Sequence, residues 1–204
     1  MHDNPDRAQA TDIARWRKAE RQRLLDERAA MSVAVRHDAS ETIASQIDRL
    51  LGSRFGSLDG LTISAWWPIK AELNLRHWLT GLATRGARAA LPVVVTQGAP
   101  LEFRVWTPDC KMVQGFWKIP VPADGPAVTP DVTLAPLVGW DAAGYRLGYG
   151  GGYFDRTLAA LNPRPLVVGV GLQAARIATI HPQPHDIGMD SIVTETGVQT
   201  LAAR

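Results

Sequence analysis

Over residues 11–31 apolar residues are sparse among Arg, Glu, Ala and Leu, all strong helix formers, which predicts a first helix with Thr11 at its start. Asp38 and Glu41 then have capping-box spacing, and Ile43, Ile47, Leu50 and Leu51 form the apolar face of a second helix that ends over residues 52–56. Beyond that point short apolar runs replace the helical spacing. Strands are expected at 61–67 and 89–96, with a helix at 73–84 between them closed by Gly86. Leu101, Phe103 and Val105 alternate with polar residues, the pattern of a strand with one wet face, so part of the sheet should be antiparallel. The Pro- and Gly-dense stretch 113–130 is expected to be a surface loop. A buried strand at 131–138, a helix at 153–161 and strands at 165–171 and 191–194 complete the series. Strands alternating with helices define an α/β layered sheet, here a single domain over 11–204 behind a polar tail, 1–10.

Composition narrows the function classes. The 204 residues are 46% apolar and 21% charged, with 22 Lys and Arg against 20 Asp and Glu, and hold one cysteine. Neither a disulfide framework nor a membrane-length apolar run is present. No block of basic residues marks a nucleic-acid tail, and the polar first ten residues carry no apolar leader. The expectation is a cytoplasmic protein that handles a small molecule, with no nucleic acid or membrane partner.

The most informative stretch runs from Arg146 to Arg156, with Gly148, Gly150, Gly151 and Gly152 between a strand and a helix. Glycines there let the backbone take positive φ and let a ligand approach the main chain. A helix N-terminus behind such a loop presents N–H donors and partial positive charge, which suits phosphate. No Walker A pattern occurs. Asp155, in the first turn of the helix, is electrostatically at home there and is also placed to hold magnesium, with Asp190 or Asp186 as a second ligand.

On the first helix, at about 100° per residue, Arg17, Arg21 and Arg28 fall within an arc of roughly 40°. Ile13, Leu24 and Met31 lie immediately beside that arc. Arginines on the margin of a buried stripe can sink their stems and hold guanidinium groups over a cleft. Two other patterns carry less. Gly169-Val-Gly171-Leu-Gln-Ala174 matches a loose dinucleotide fingerprint, but Pro182 and Pro184 interrupt the chain before its helix could form. His181, His185 and Asp186 are separated by the same prolines and are expected to form a structural loop.

Taken together, Pro136-Leu-Val-Gly-Trp-Asp141, the run from Gly144 to Arg156, His185-Asp186 and Met189 to Glu195 resemble the 5-formyltetrahydrofolate cyclo-ligase family, over about residues 17–198. The resemblance implies a three-layer α/β/α fold with a central mixed, mostly parallel sheet, like ribose-5-phosphate isomerase and CoA-transferase domains. It further implies an ATP- and magnesium-dependent ring closure of 5-formyltetrahydrofolate to 5,10-methenyltetrahydrofolate through a phosphorylated formyl group, by a monomer or weak dimer. Under it Arg146, Tyr153 and Asp155 are catalytic. Arg17, Lys18, Arg21 and the loop Arg146, Leu147, Gly148, Tyr149, Gly150, Gly151, Gly152, Tyr153 and Phe154 bind ATP. Trp67, Glu72, Tyr149, Gly150, Gly151, Gly152 and Tyr153 bind the folate, and Asp155 and Asp190 bind magnesium. Asn74 and Leu75 stand where many members have an acid and a threonine, so an ATP-using enzyme with another substrate and a non-catalytic folate binder are the alternatives.

Overall fold

The computed structural model describes residues 5–202. Helix α1 (Pro5–Ala30) starts earlier than expected, because residues 5–10 of the presumed tail are already helical. Pro5 suits a first helical position, where its missing N–H removes nothing. The rest of the expected tail, 1–4, lies outside the described residues. Helix α2 (Val33–Phe55) is started by Ser32 rather than Asp38: Ser32 is extended and its Oγ accepts the Val35 N–H at 3.2 Å. It ends where Gly56 takes φ 73°.

After β1 (Thr62–Ser64), the expected helix over 73–84 shrinks to α3 (Arg76–Thr80) and a 3₁₀ turn at Ala83–Arg85. Asn74 delays it, because its Oδ1 accepts the Arg76 N–H at 3.1 Å. Strand β2 (Arg88–Val93) pairs antiparallel with β3 (Glu102–Trp106), as the alternation predicted. The expected loop over 113–130 is partly a hairpin of β4 (Met112–Gln114) and β5 (Pro120–Pro122). The chain continues through β6 (Val132–Pro136), the small antiparallel pair β7 (Gly139–Trp140) and β8 (Arg146–Leu147), α4 (Tyr153–Ala160), β9 (Leu166–Val170), β10 (Ser191–Thr194) and β11 (Gly197–Gln199).

The main sheet has seven strands in the order β11-β10-β9-β6-β1-β2-β3, parallel from β10 to β2, with antiparallel strands at both edges. The two-residue period of the strands assigns its faces. Ile63, Leu134, Val168 and Val193 pack with Ile43, Ile47 and Leu51 of α2, while Ala135, Val167 and Ile192 pack with Leu158 of α4 on the other side. Helices on both faces bury the parallel strands completely, giving the three-layer α/β/α architecture. The loose dinucleotide pattern has a packing reason for its glycines: a Cβ at Gly171 would lie 3.0 Å from Leu137 Cβ, and only a 3₁₀ turn, Gln173–Ala175, follows. Among the described residues no helix is long and apolar enough to cross a membrane.

Candidate active site

The site gathers at the carboxyl ends of β6 and β9, where ligands of open α/β sheets bind. The β7–β8 pair continues from β6 and delivers the glycine loop beyond the sheet. Its turn is fixed by Asp141, 2% exposed, whose Oδ1 accepts the Ala143 and Tyr145 N–H groups and whose Oδ2 accepts the Ile180 N–H. Gly139 lets α1 close on the pair, since a Cβ there would lie 2.6 Å from Leu24 Cδ1.

In the loop, Gly150 has φ 92° and Gly152, which precedes α4, has φ 65°. From Tyr149 to Asp155 no main-chain N–H has an acceptor among the described residues, so the loop and the first turn of α4 form a row of unmet donors. Arg21 lies directly over it. Its Nε donates to the Gly148 carbonyl, and a Cβ on Gly150 would sit 3.3 Å from its Cζ. Burial and the charge of Arg17 lower the Arg21 pKa, yet both its Nη groups lack a partner among the described residues. Arg17 is more fully engaged: it binds both oxygens of Asp186 and the carbonyls of Ile180 and His181, tying α1 to the 180–186 loop. Lys18 is exposed and reaches none of these groups.

Arg146 is buried beside Phe154 and donates to Asp155 Oδ2 at 2.9 Å, and Asp155 Oδ1 accepts the Ile187 N–H. Burial lowers the Arg146 pKa against the pull of Asp155 and Asp186. Burial alone would raise Asp186, but the Arg17 hydrogen bonds, the Gln183 N–H and the charges of Arg17 and His185 outweigh it and hold the carboxyl below its ordinary value. Asp155 therefore stands at the loop with Asp186 close by. Asp190 precedes β10, spends both oxygens on Arg164 at 2.8 Å and also accepts the Val167 N–H. No cluster of three or more metal-ligating side chains exists among the described residues.

Beside the loop lies a largely apolar cavity of about 220 Å³, walled by Leu24, Met31, Leu73, Leu137, Val170 and Leu172, with Arg28, Trp66 and Glu72 among its lining. Glu72 is 8% exposed and its Oε2 accepts the Ile69 N–H at 2.9 Å. Burial raises its pKa, offset in part by that N–H, Arg28, Tyr149 and Lys70. Tyr149 reaches across from the glycine loop and accepts from Arg28 at 2.5 Å; burial and the charge of Glu72 push its hydroxyl pKa up. Trp66 lines the cavity, whereas Trp67 stacks under Arg76, its ring centroid 4.7 Å from the guanidinium.

Sequence reasoning missed the β4–β5 hairpin tip. Trp117, 62% exposed, meets Tyr153 edge to face at 5.4 Å. A signal for it appears only in the backbone: Lys70, Ala71, Trp117, Lys118 and His181 are the described non-glycine residues with positive φ. Lys70 and Ala71 precede Glu72, Trp117 and Lys118 sit against Tyr153, and His181 holds Arg17, so all five border the site, as stored strain commonly does.

A three-layer α/β fold thus places a donor-rich loop and a separate apolar cavity at the strand ends, an arrangement suited to a phosphate-bearing ligand beside a second molecule. The sequence model of the 5-formyltetrahydrofolate cyclo-ligase family matches residues 13–195. The 5-formyltetrahydrofolate cyclo-ligase of Mycolicibacterium smegmatis is 30% identical over 179 residues, covering 84% of this chain and 89% of the relative, and that of Haemophilus influenzae is 26% identical, covering 81% and 90%. The NMR structure of Aquifex aeolicus 5,10-methenyltetrahydrofolate synthetase superposes with a TM-score of 0.77 at 27% identity, covering 92% of this chain and 94% of that one. The Mycoplasma pneumoniae synthetase shares the fold, with a TM-score of 0.71 at 23% identity. The chain belongs to the 5-formyltetrahydrofolate cyclo-ligase family.

Proposed function

We propose that the protein closes 5-formyltetrahydrofolate to 5,10-methenyltetrahydrofolate, with ATP converted to ADP and phosphate. A formyl amide is a poor electrophile because its oxygen is a poor leaving group. Transfer of the γ-phosphoryl group to that oxygen makes phosphate the leaving group, the 10-nitrogen attacks the activated carbon, and phosphate departs. Phosphoryl transfer is catalysed mainly by positioning and charge neutralisation. The observation that carries this reading is the row of unmet N–H donors from Tyr149 to Asp155 under Arg21, next to a cavity that holds the Glu72 carboxylate.

In this reading Arg21 and the loop N–H groups take the phosphates, and Arg17 keeps α1 over the loop. Lys18 contributes only long-range charge from its exposed position. Arg146 and Tyr153 frame the transfer, and Glu72, Tyr149 and Trp66 hold the folate ring, in place of the expected Trp67, which is stacked against Arg76. Asp155 and Asp190 are the proposed magnesium ligands: Asp155, a carboxylate beside the phosphate cradle, fits a hard cation that takes few protein ligands once it shares or leaves Arg146, and Asp190 has likewise to leave Arg164. Bound with the nucleotide, magnesium supplies neutralisation of phosphate charge. A monomer or weak dimer acting in the cytoplasm on this small molecule completes the proposal.

The test mixes the purified protein with 5-formyltetrahydrofolate, magnesium and ATP and follows the absorbance of methenyltetrahydrofolate. A rise that requires ATP supports the reading. No rise from a protein that still binds ATP overturns the substrate assignment and leaves an ATP-using enzyme with another acceptor, the outcome that Asn74 and Leu75 would explain.

A further inference from the structure

Arg28 is 8% exposed, and no carboxylate pairs with it among the described residues. Its Nη2 donates to the Lys70 carbonyl at 3.1 Å and to the Tyr149 hydroxyl at 2.5 Å, while Nε is buried with no acceptor and Nη1 has none among the described residues. The Trp66 indole N–H, in the same cavity wall, is likewise buried and unmet. Buried donors are almost always satisfied, and a buried guanidinium without a direct ion pair is more unusual still. Glu72 lines the same cavity: it forms no direct ion pair with Arg28 but feels its charge, and the Tyr149 hydroxyl interacts with both side chains. One cavity therefore presents unmet donors from Arg28 and Trp66 together with an acceptor from Glu72.

That pattern is complementary to one edge of a flat heterocycle, a ring carbonyl next to a ring N–H and an exocyclic amino group. The folate ring carries that edge, with its carbonyl at position 4. At about 220 Å³ the cavity is below the ~300–1,000 Å³ of sites that enclose a whole drug-sized ligand, a size that suits the ring with the rest of the molecule outside. Resting on the proposed substrate, we infer that Arg28 is a specificity-determining residue: it donates to the 4-carbonyl while Glu72 accepts from the neighbouring N–H and amino group, so the site takes 4-oxo rings and rejects 4-amino rings. A 4-amino group would set donor against donor and leave the guanidinium without an acceptor, which is the kind of mismatch that discriminates most strongly.

Binding is read directly from tryptophan fluorescence, with tetrahydrofolate and its 4-amino counterpart as probes, and alongside turnover of 5-formyltetrahydrofolate. The wild-type protein should prefer the 4-oxo ring by about 10- to 100-fold, the value of a charge-assisted hydrogen bond. In Arg28→Met the preference should collapse to within a few-fold, and Arg28→Lys should restore part of it. Equal binding of the two rings by wild-type protein, a result that needs no variant to fold, overturns the inference, as does an unchanged ratio in a folded Arg28→Met. If neither ring binds and nothing is turned over, the underlying substrate reading fails, a pattern distinct from turnover without discrimination.

Discussion

Replacing Asp155 with Asn separates the structural from the ligand role of that carboxylate. Arg146 and Asp155 have side chains only 7% and 14% exposed and meet at 2.9 Å. Asn keeps the shape and an oxygen for one hydrogen bond but removes the charge that Arg146 needs, and the Arg146 Nε already lacks an acceptor. Breaking a buried pair by removing one partner costs about 3–5 kcal/mol. Asp186 still faces Arg146, so the lower end, about 3 kcal/mol, is expected. For a chain of this length that is a fall in Tm of about 6–12 °C. Arg146→Met should also destabilise, and the double variant Asp155→Asn/Arg146→Met should recover much of the loss, because neither charge is then left buried alone. Denaturation of all four proteins, followed by circular dichroism, gives the cycle. If Asp155→Asn stays within about 1 kcal/mol of wild type and the double variant is additive, the pair has no structural role and the reasoning from burial is wrong.

Glu72→Gln should raise the KM for the folate, and wild-type KM should fall as pH rises through a window above the ordinary carboxylate range, as Glu72 ionises. The sign for stability is opposite: with its folded pKa raised by burial, Glu72 makes folding less favourable as pH climbs from the unfolded to the folded value, and Glu72→Gln should flatten that slope in pH-dependent denaturation. Gly150→Ala puts a Cβ at φ 92° and 3.3 Å from Arg21, a strain of about 1–2 kcal/mol that should weaken ATP binding about tenfold in calorimetry; unchanged affinity would remove the loop from the phosphate site. Asp190→Asn loosens a half-exposed pair with Arg164, for which about 0–1 kcal/mol is expected. Activity kept at saturating magnesium would then eliminate Asp190 as a ligand.

Several parts of the site were legible in the sequence because they depend on near neighbours. The glycines before α4 announce an open donor loop, and the arc of Arg17, Arg21 and Arg28 follows from helical spacing alone. That arc faces the site: Leu24 is buried beside it and Arg21 lies on the loop. Element boundaries were less legible. Ser32 took the cap from Asp38, and Asn74 shortened α3, since a single hydrogen bond to the backbone decides such ends. The hairpin carrying Trp117 was hidden under prolines, which here sit within the short strand β5.

What the sequence determined by itself was the alternation of strands and helices, the phosphate-suited loop, and a family resemblance whose matching residues include Glu72 and Asp155. The tertiary structure alone decided that β6 and β9 lie side by side, so that Arg28 from α1, Trp66 from the end of β1 and Glu72 line one cavity. It also decided that Asp155 meets the main chain at Ile187 while Asp190 is paired with Arg164, and that Arg17 spends its donors holding a loop far along the chain. Periodicity and turn chemistry act over a few residues and can be read locally. Which donors are left unmet depends on strand order and on every group packed around them, and no local pattern encodes that.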